Sequence, residues 1–135
     1  MAAEPKTRPT DASVPDFIAA VENPTRRADA EAICALMAEA AGEPPVLWGP
    51  SIVGFGRYRG PTGDWPLVGF SPRKANLVLY IMPGFAEHAD PLARLGRHRA
   101  GSSCLYLNRL ADADPAVLRE LIDRSIASLR ATYGG

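Results

Sequence analysis

The sequence contains few of the residues that build metal or redox centres. Only two cysteines, Cys34 and Cys104, and two histidines occur among 135 residues, and the cysteines form no CxxC pair. A disulfide scaffold and a zinc site of the usual spacing are therefore not expected, and both thiols should be reduced. Net charge is also absent, because 15 basic and 15 acidic residues cancel, which disfavours nucleic acid as a partner. We predict neither a metal site nor a cofactor.

Long apolar runs are missing as well. No stretch approaches the ~20 apolar residues that a membrane-spanning helix needs, and residues 1–10 do not form an apolar signal segment. We therefore expect a cytoplasmic protein with no membrane partner. The composition, 47% hydrophobic and 22% charged, is that of a chain that buries a core and folds unaided. We predict a flexible tail over residues 1–12 and a single domain over residues 13–135.

Helical patterns occupy both ends of that domain. Asn23 is a typical N-cap, Pro24 suits the first helical position and Gly42 suits the end of the helix. Ser13 and Asp114 have the same capping chemistry and also precede prolines closely. The sequence predicts helices over 14–21, 24–41 and 115–132, and a shorter one that begins at Asp90 as N-cap and ends before Gly96.

The middle of the chain predicts strands. Four segments are rich in β-branched and aromatic residues and are separated by Gly, Pro, Asp and Ser, namely residues 51–60, 65–70, 76–82 and 102–107. The links GPTGD (60–64) and SPRK (71–74) suit tight turns, so the first three strands should form an antiparallel meander. We predict an α+β, two-layer fold: an antiparallel sheet of four to five strands with N- and C-terminal helices packed on it.

Four blocks of the sequence resemble the YdhG-like proteins, also called domain of unknown function 1801. They are LWGPSIVGFG (47–56), DWPLVGFSPRK (64–74), LVLYIMPGF (77–85) and LGRHRAGSSCLYL (95–107). The resemblance covers roughly residues 13–133 and implies a small cytosolic α/β domain. Most members of that family have no assigned reaction, and a few are described as intracellular iron chaperones with frataxin-like behaviour. The resemblance supplies no catalytic residues.

Charge is distributed unevenly along the chain. Residues 1–43 contain four basic and eight acidic residues, whereas residues 44–111 contain eight basic and three acidic ones. A positive middle segment can attract an anionic ligand. The alternative is that basic residues protect an exposed sheet edge from pairing with other chains.

Two basic turns carry the functional prediction. Arg73 and Lys74 follow one predicted strand, and the segment LGRHRAGSSC (95–104) precedes another. An antiparallel sheet could bring both turns together into one pocket for a phosphate or carboxylate. Trp48 would add an aromatic wall. The predicted ligand-binding residues are Trp48, Ser51, Arg73, Lys74, Arg97, His98, Arg99, Ser102 and Ser103.

We therefore expect a small cytosolic domain that binds a small anionic molecule in a basic pocket. The alternative is an iron chaperone, whose oxygen and nitrogen ligands would come from Asp29, Glu31, Glu39, Glu43, Glu87 and His88. A further alternative is an enzyme that uses Cys104 or His98, but the sequence offers no G-x-S-x-G elbow and no acid to orient His98, so no catalytic residue is assigned. Cys34 lies on an apolar helix face and is expected in the core. The oligomeric state is left open.

Overall fold

A computed structural model describes residues 10, 12–49, 51–60, 63–81, 89–101 and 104–133. The helices are α1 (Val14–Ala19), α2 (Pro24–Ala41), α3 (Ala89–Arg94) and α4 (Pro115–Tyr133), with a 3₁₀ turn at Leu110–Asp112. The strands are β1 (Pro45–Trp48), β2 (Ile52–Phe55), β3 (Tyr58–Gly60), β4 (Gly63–Trp65), β5 (Val68–Pro72), β6 (Leu77–Tyr80), β7 (Arg99–Ala100) and β8 (Cys104–Leu107).

The main sheet has six antiparallel strands in the order β1-β2-β5-β6-β8-β7, and β3 and β4 form a separate hairpin. The α+β class and the antiparallel meander are confirmed, whereas the strand count is higher than predicted. One predicted strand, residues 51–60, divides at Gly56, whose φ of 65° lies in the left-handed region, so β2 and β3 enter different sheets. The edge strand β7 was missed because it has only two residues, and β1 was missed because it begins with Pro45 directly after Pro44, and prolines are rare in strands other than edge strands.

Capping residues set the ends of the helices. The Asn23 side chain accepts the Arg26 N–H at 2.9 Å, and Gly42 ends α2 at φ 67°, as predicted. Helix α1 ends at Ala19 rather than residue 21, because the Val21 N–H bonds to the Ile18 carbonyl oxygen three residues back at 3.0 Å and so leaves the α-helical pattern. Helix α3 begins at Ala89, so Asp90 lies in its first turn rather than at its N-cap.

One face of the sheet carries the hydrophobic core. Side chains from α1, α2 and α4 pack there against alternate strand residues, including Val53, Phe70, Leu79 and Leu105, all fully buried. Among the described residues, no helix is long and apolar enough to cross a membrane. The intervening strand residues, such as Trp48, Ser71 and Val78, lie on the opposite face.

The register brings several turns to one end of the sheet, which we call the turn end. Trp48 pairs with Ile52, and Pro72 pairs with Leu77. The β1–β2 turn (residues 49–51) and the β5–β6 turn (residues 73–76) therefore lie at the same end. Leu77 also pairs with Leu107, so residue 108, which follows β8, lies at this end. The start of β7 lies there too, because Arg99 pairs with Tyr106.

Candidate functional site

The junction between α1 and α2 is held by local hydrogen bonds. The Arg27 guanidinium donates to the Val21 carbonyl oxygen at 2.8 Å, and the Val21 N–H donates to Ile18 at 3.0 Å. These contacts fix residues 20–23 as a corner beside the first turn of α2. The corner faces the turn end of the sheet and encloses a space with it.

That space, which we call the N-terminal cleft, has a volume of about 510 Å³. Its apolar wall consists of Phe17, Ala20, Val21 and Pro72, and its polar lining consists of Glu22, Asn23, Arg26, Ser51, Ser71, Arg73 and Lys74. The volume is within the range of small-molecule sites, roughly 300–1,000 Å³, and such sites combine apolar walls with a few polar groups in this way.

Two polar atoms in this lining are buried without a partner. Neither Nη1 of Arg26 nor Oγ of Ser71 has a hydrogen-bond partner in the described part of the chain, and Ser71 is only 1% exposed. A buried polar group left unpaired costs about 1–3 kcal/mol, and more when it is charged. The Ser71 hydroxyl lies on the sheet face opposite the helices, so a ligand acceptor atom beside α2 would relieve the cost at Arg26.

The charges of the cleft favour an anion. Arg26, Arg73 and Lys74 contribute three positive charges, against the single carboxylate of Glu22. The first turn of α2 contains no acidic residue, although the helix dipole favours negative charge there. An anion bound in the cleft would supply that missing charge.

Arg73 also has a contact outside the cleft. Its Nη2 donates to the hydroxyl of Tyr80 at 3.0 Å. Burial raises the pKa of Tyr80 and Arg73 opposes that rise only in part, so the phenol is neutral at physiological pH. The hydrogen bond therefore leaves the positive charge of Arg73 uncompensated.

A second, smaller cavity, which we call the β7 pocket, lies at the same end of the sheet. It has a volume of about 180 Å³ and is lined by Asn76, Arg97, His98, Arg99, Tyr106 and Asn108. The Arg99 guanidinium lies 4.8 Å from the centroid of the Tyr106 ring, a cation–π geometry. His98 Nδ1 lies 2.8 Å from the Gly96 carbonyl oxygen, so Nδ1 carries the hydrogen in that contact.

The predicted site residues are thus divided between two places. Ser51, Arg73 and Lys74 line the N-terminal cleft, while Arg97, His98 and Arg99 line the β7 pocket. The two basic turns share one end of the sheet, but no described lining residue belongs to both cavities. Trp48 lines neither: it is 2% exposed and borders a different surface depression near Glu43 and Arg57. Ser102 and Ser103 lie outside the described residues.

Sequence reasoning missed Arg26 and Ser71. For Arg26 a signal was present, because two arginines and no acid in the first turn contradict the usual charge preference of a helix N-terminus. Ser71 had no comparable signal, because its burial depends on the strand register and on neighbours distant in the sequence.

Two of the six residues proposed as iron ligands have other polar contacts in the structure. Asp29 accepts the Leu110 N–H at 2.9 Å, and Glu39 lies 3.0 Å from the Arg119 guanidinium. Within the described ranges, no group of three or more His, Cys, Asp or Glu side chains is arranged to hold a metal ion. Glu87 and His88 lie outside those ranges.

The two cysteines are both half-buried. Cys34 was expected in the core, but it lies beside the buried stripe of Ile33 and Met37 and lines a shallow groove against α1. Burial raises the pKa of the Cys34 thiol, which lowers its reactivity. Cys104 pairs with Tyr80 on the sheet face opposite the helices, rather than facing the core.

Comparison of the chain with protein-family models, with curated protein sequences and with solved structures finds no match.

Proposed function

We propose that this domain binds a small organic anion in the N-terminal cleft. The observation that carries the proposal is that Arg26 Nη1, in the lining of this cavity, is buried without a partner among the described residues. A carboxylate could accept a hydrogen bond from Arg26, and Arg73 and Lys74 would add electrostatic attraction. A neutral acceptor could also pair with Arg26, but only an anion gains from the three positive charges of the cleft.

The apolar wall defines the rest of the ligand. Phe17, Val21 and Pro72 offer hydrophobic and aromatic surface beside the cationic groups. We therefore infer a ligand with one anionic group and a compact apolar body, such as an aromatic or branched aliphatic carboxylate. The YdhG-like resemblance remains part of the proposal, whereas no observation on the described residues favours iron handling or catalysis by Cys104 or His98.

A matched pair of ligands tests the proposal directly. Benzoate and benzamide have nearly the same shape, but only benzoate is charged. Calorimetry on the full chain should give saturable binding of benzoate and at least tenfold weaker binding of benzamide, because a charge-assisted hydrogen bond adds about 1.5–3 kcal/mol. Equal affinity for the two compounds would contradict the anion proposal.

Variants locate the site. Arg26→Met keeps much of the side-chain volume and removes the charge, so it should weaken benzoate binding about tenfold. Arg59→Met is the matched control, because Arg59 is 83% exposed and lies on the β3–β4 hairpin. If both variants bind benzoate like the parent protein, the ligand is not in the N-terminal cleft.

A further inference from the structure

The β7 pocket differs from the N-terminal cleft in size and chemistry. Its volume of about 180 Å³ is below the roughly 300 Å³ at which drug-sized ligands are accommodated. Its lining is polar or charged except for the ring of Tyr106, which is already covered by Arg99. The pocket therefore suits a compact, strongly polar group and offers no surface for an apolar body.

Positive charge in the β7 pocket has no acidic counterpart among the residues that the structure describes. Arg97 and Arg99 have no ion-pair partner among the described residues, and no acid contributes to the lining. Asp112 contacts this turn through its main chain, where its carbonyl accepts the Arg97 N–H at 3.2 Å. The Asp112 carboxylate instead lies 3.9 Å from Arg109.

The backbone around Arg97 is anchored on both sides. Gly96 has φ 117° and bridges to Ala113, and a Cβ at Gly96 would collide with the Asp112 carbonyl oxygen. On the other side, Arg99 pairs with Tyr106 in the sheet. The main chain that carries both arginines is therefore fixed by a turn and a strand, and the Arg99 guanidinium is also held against the Tyr106 ring, which lowers the entropy lost when they bind an anion.

We propose that the β7 pocket is a second anion site, which binds a phosphate group. Two arginine forks can donate to several oxygens of a tetrahedral phosphate. Asn76, Asn108 and His98 supply uncharged polar contacts around the same space. The pocket is large enough to contact only the phosphate group, and any remaining part of a ligand would extend into solvent. The phosphate is therefore either the free ion or the phosphate group of a phosphomonoester. This proposal does not rest on the N-terminal cleft, because no described lining residue is common to both.

Inorganic phosphate is the first probe, added to isotope-labelled full-length protein while sodium chloride holds the ionic strength constant. Saturable amide shifts should appear at residues 97–99, Asn76 and Asn108. Arg97→Gln should weaken this binding about tenfold or more, and Arg59→Gln, the matched loss of charge on the hairpin, should leave it unchanged. A phosphate response without saturation, or one weakened equally by both variants, would overturn the proposal.

Two further measurements distinguish the source of the phosphate and guard against misfolding. Phenyl phosphate should shift the same amides if the pocket takes phosphomonoesters, and inorganic phosphate alone should shift them if it takes the free ion. Arg99→Lys keeps the charge but loses the planar stacking on Tyr106, and should weaken binding less than Arg97→Gln does. If a folded Arg99→Lys protein and a folded Asn108→Ala protein both bind phosphate with parental affinity, the assigned pocket is wrong.

Discussion

The indole ring of Trp48 lies against Gly54 on the sheet face opposite the helices. The two are diagonal neighbours on β1 and β2, and a Cβ at Gly54 would approach Trp48 Cδ1 to 2.6 Å and Pro66 Cβ to 2.7 Å. The glycine therefore makes room for the ring, and Trp48 acts as a packing residue rather than as the ligand wall that the sequence predicted.

Gly54→Ala should consequently destabilise the domain by about 1–3 kcal/mol, the usual cost of overpacking. Gly101→Ala is the control, because a Cβ there would meet Tyr106 no closer than 3.6 Å. Urea denaturation of both variants measures the difference in unfolding free energy. Equal stability of the two variants would mean that Trp48 moves aside at little cost.

Two buried serines provide a second test. Ser125 Oγ donates to the Ile122 carbonyl at 2.9 Å, whereas Ser71 Oγ has no partner among the described residues, although both are almost fully buried. Ser125→Ala should lower the unfolding free energy by about 0.5–1.5 kcal/mol. Ser71→Ala should leave it unchanged or raise it, because it removes an unpaired hydroxyl. A large stability loss in Ser71→Ala would indicate that the hydroxyl has a structural partner.

Alkaline pH should destabilise the fold through its tyrosines. Burial raises the pKa of both Tyr58 and Tyr80, so above about pH 10 the unfolded chain loses these protons before the folded chain does. The folded state then binds more protons than the unfolded state, and the unfolding free energy falls as the pH rises. Urea denaturation between about pH 9 and pH 11 should show a shallower decline for a Tyr58→Phe, Tyr80→Phe double variant. An identical decline in both proteins would contradict this assignment.

The parts of the fold that could be predicted from the sequence are those decided locally. Asn23, Pro24 and Gly42 determine α2 within a few residues of each end, and the apolar content of β6 marks a central strand. Strand β7 could not be predicted, because two residues carry no pattern. Its place beside β8 depends on the pairing of Arg99 with Tyr106, seven residues further along the chain.

The candidate site was predictable only in part for the same reason. Local composition identified Arg73 and Arg97 as cations in turns, and the register places both at the turn end. Their division between two cavities depends on the sheet order, because β6 and β8 separate β5 from β7. The contribution of Arg26 depends on α2 approaching a turn 47 positions further along the chain, which no local pattern reports.

The separation of the two cavities leads to a final prediction about coupling. Three strand spacings of about 4.8 Å place the ends of β5 and β7 roughly 14 Å apart. Benzoate carries one negative charge and phosphate between one and two at neutral pH, so at that distance in water they repel by at most about 0.6 kcal/mol, and salt at about 0.15 M screens most of this repulsion. Saturating phosphate should therefore weaken benzoate binding less than about twofold, as measured by calorimetry at constant ionic strength. Competitive displacement of benzoate by phosphate would instead mean that Arg73 and Arg97 serve a single site, the arrangement predicted from the sequence.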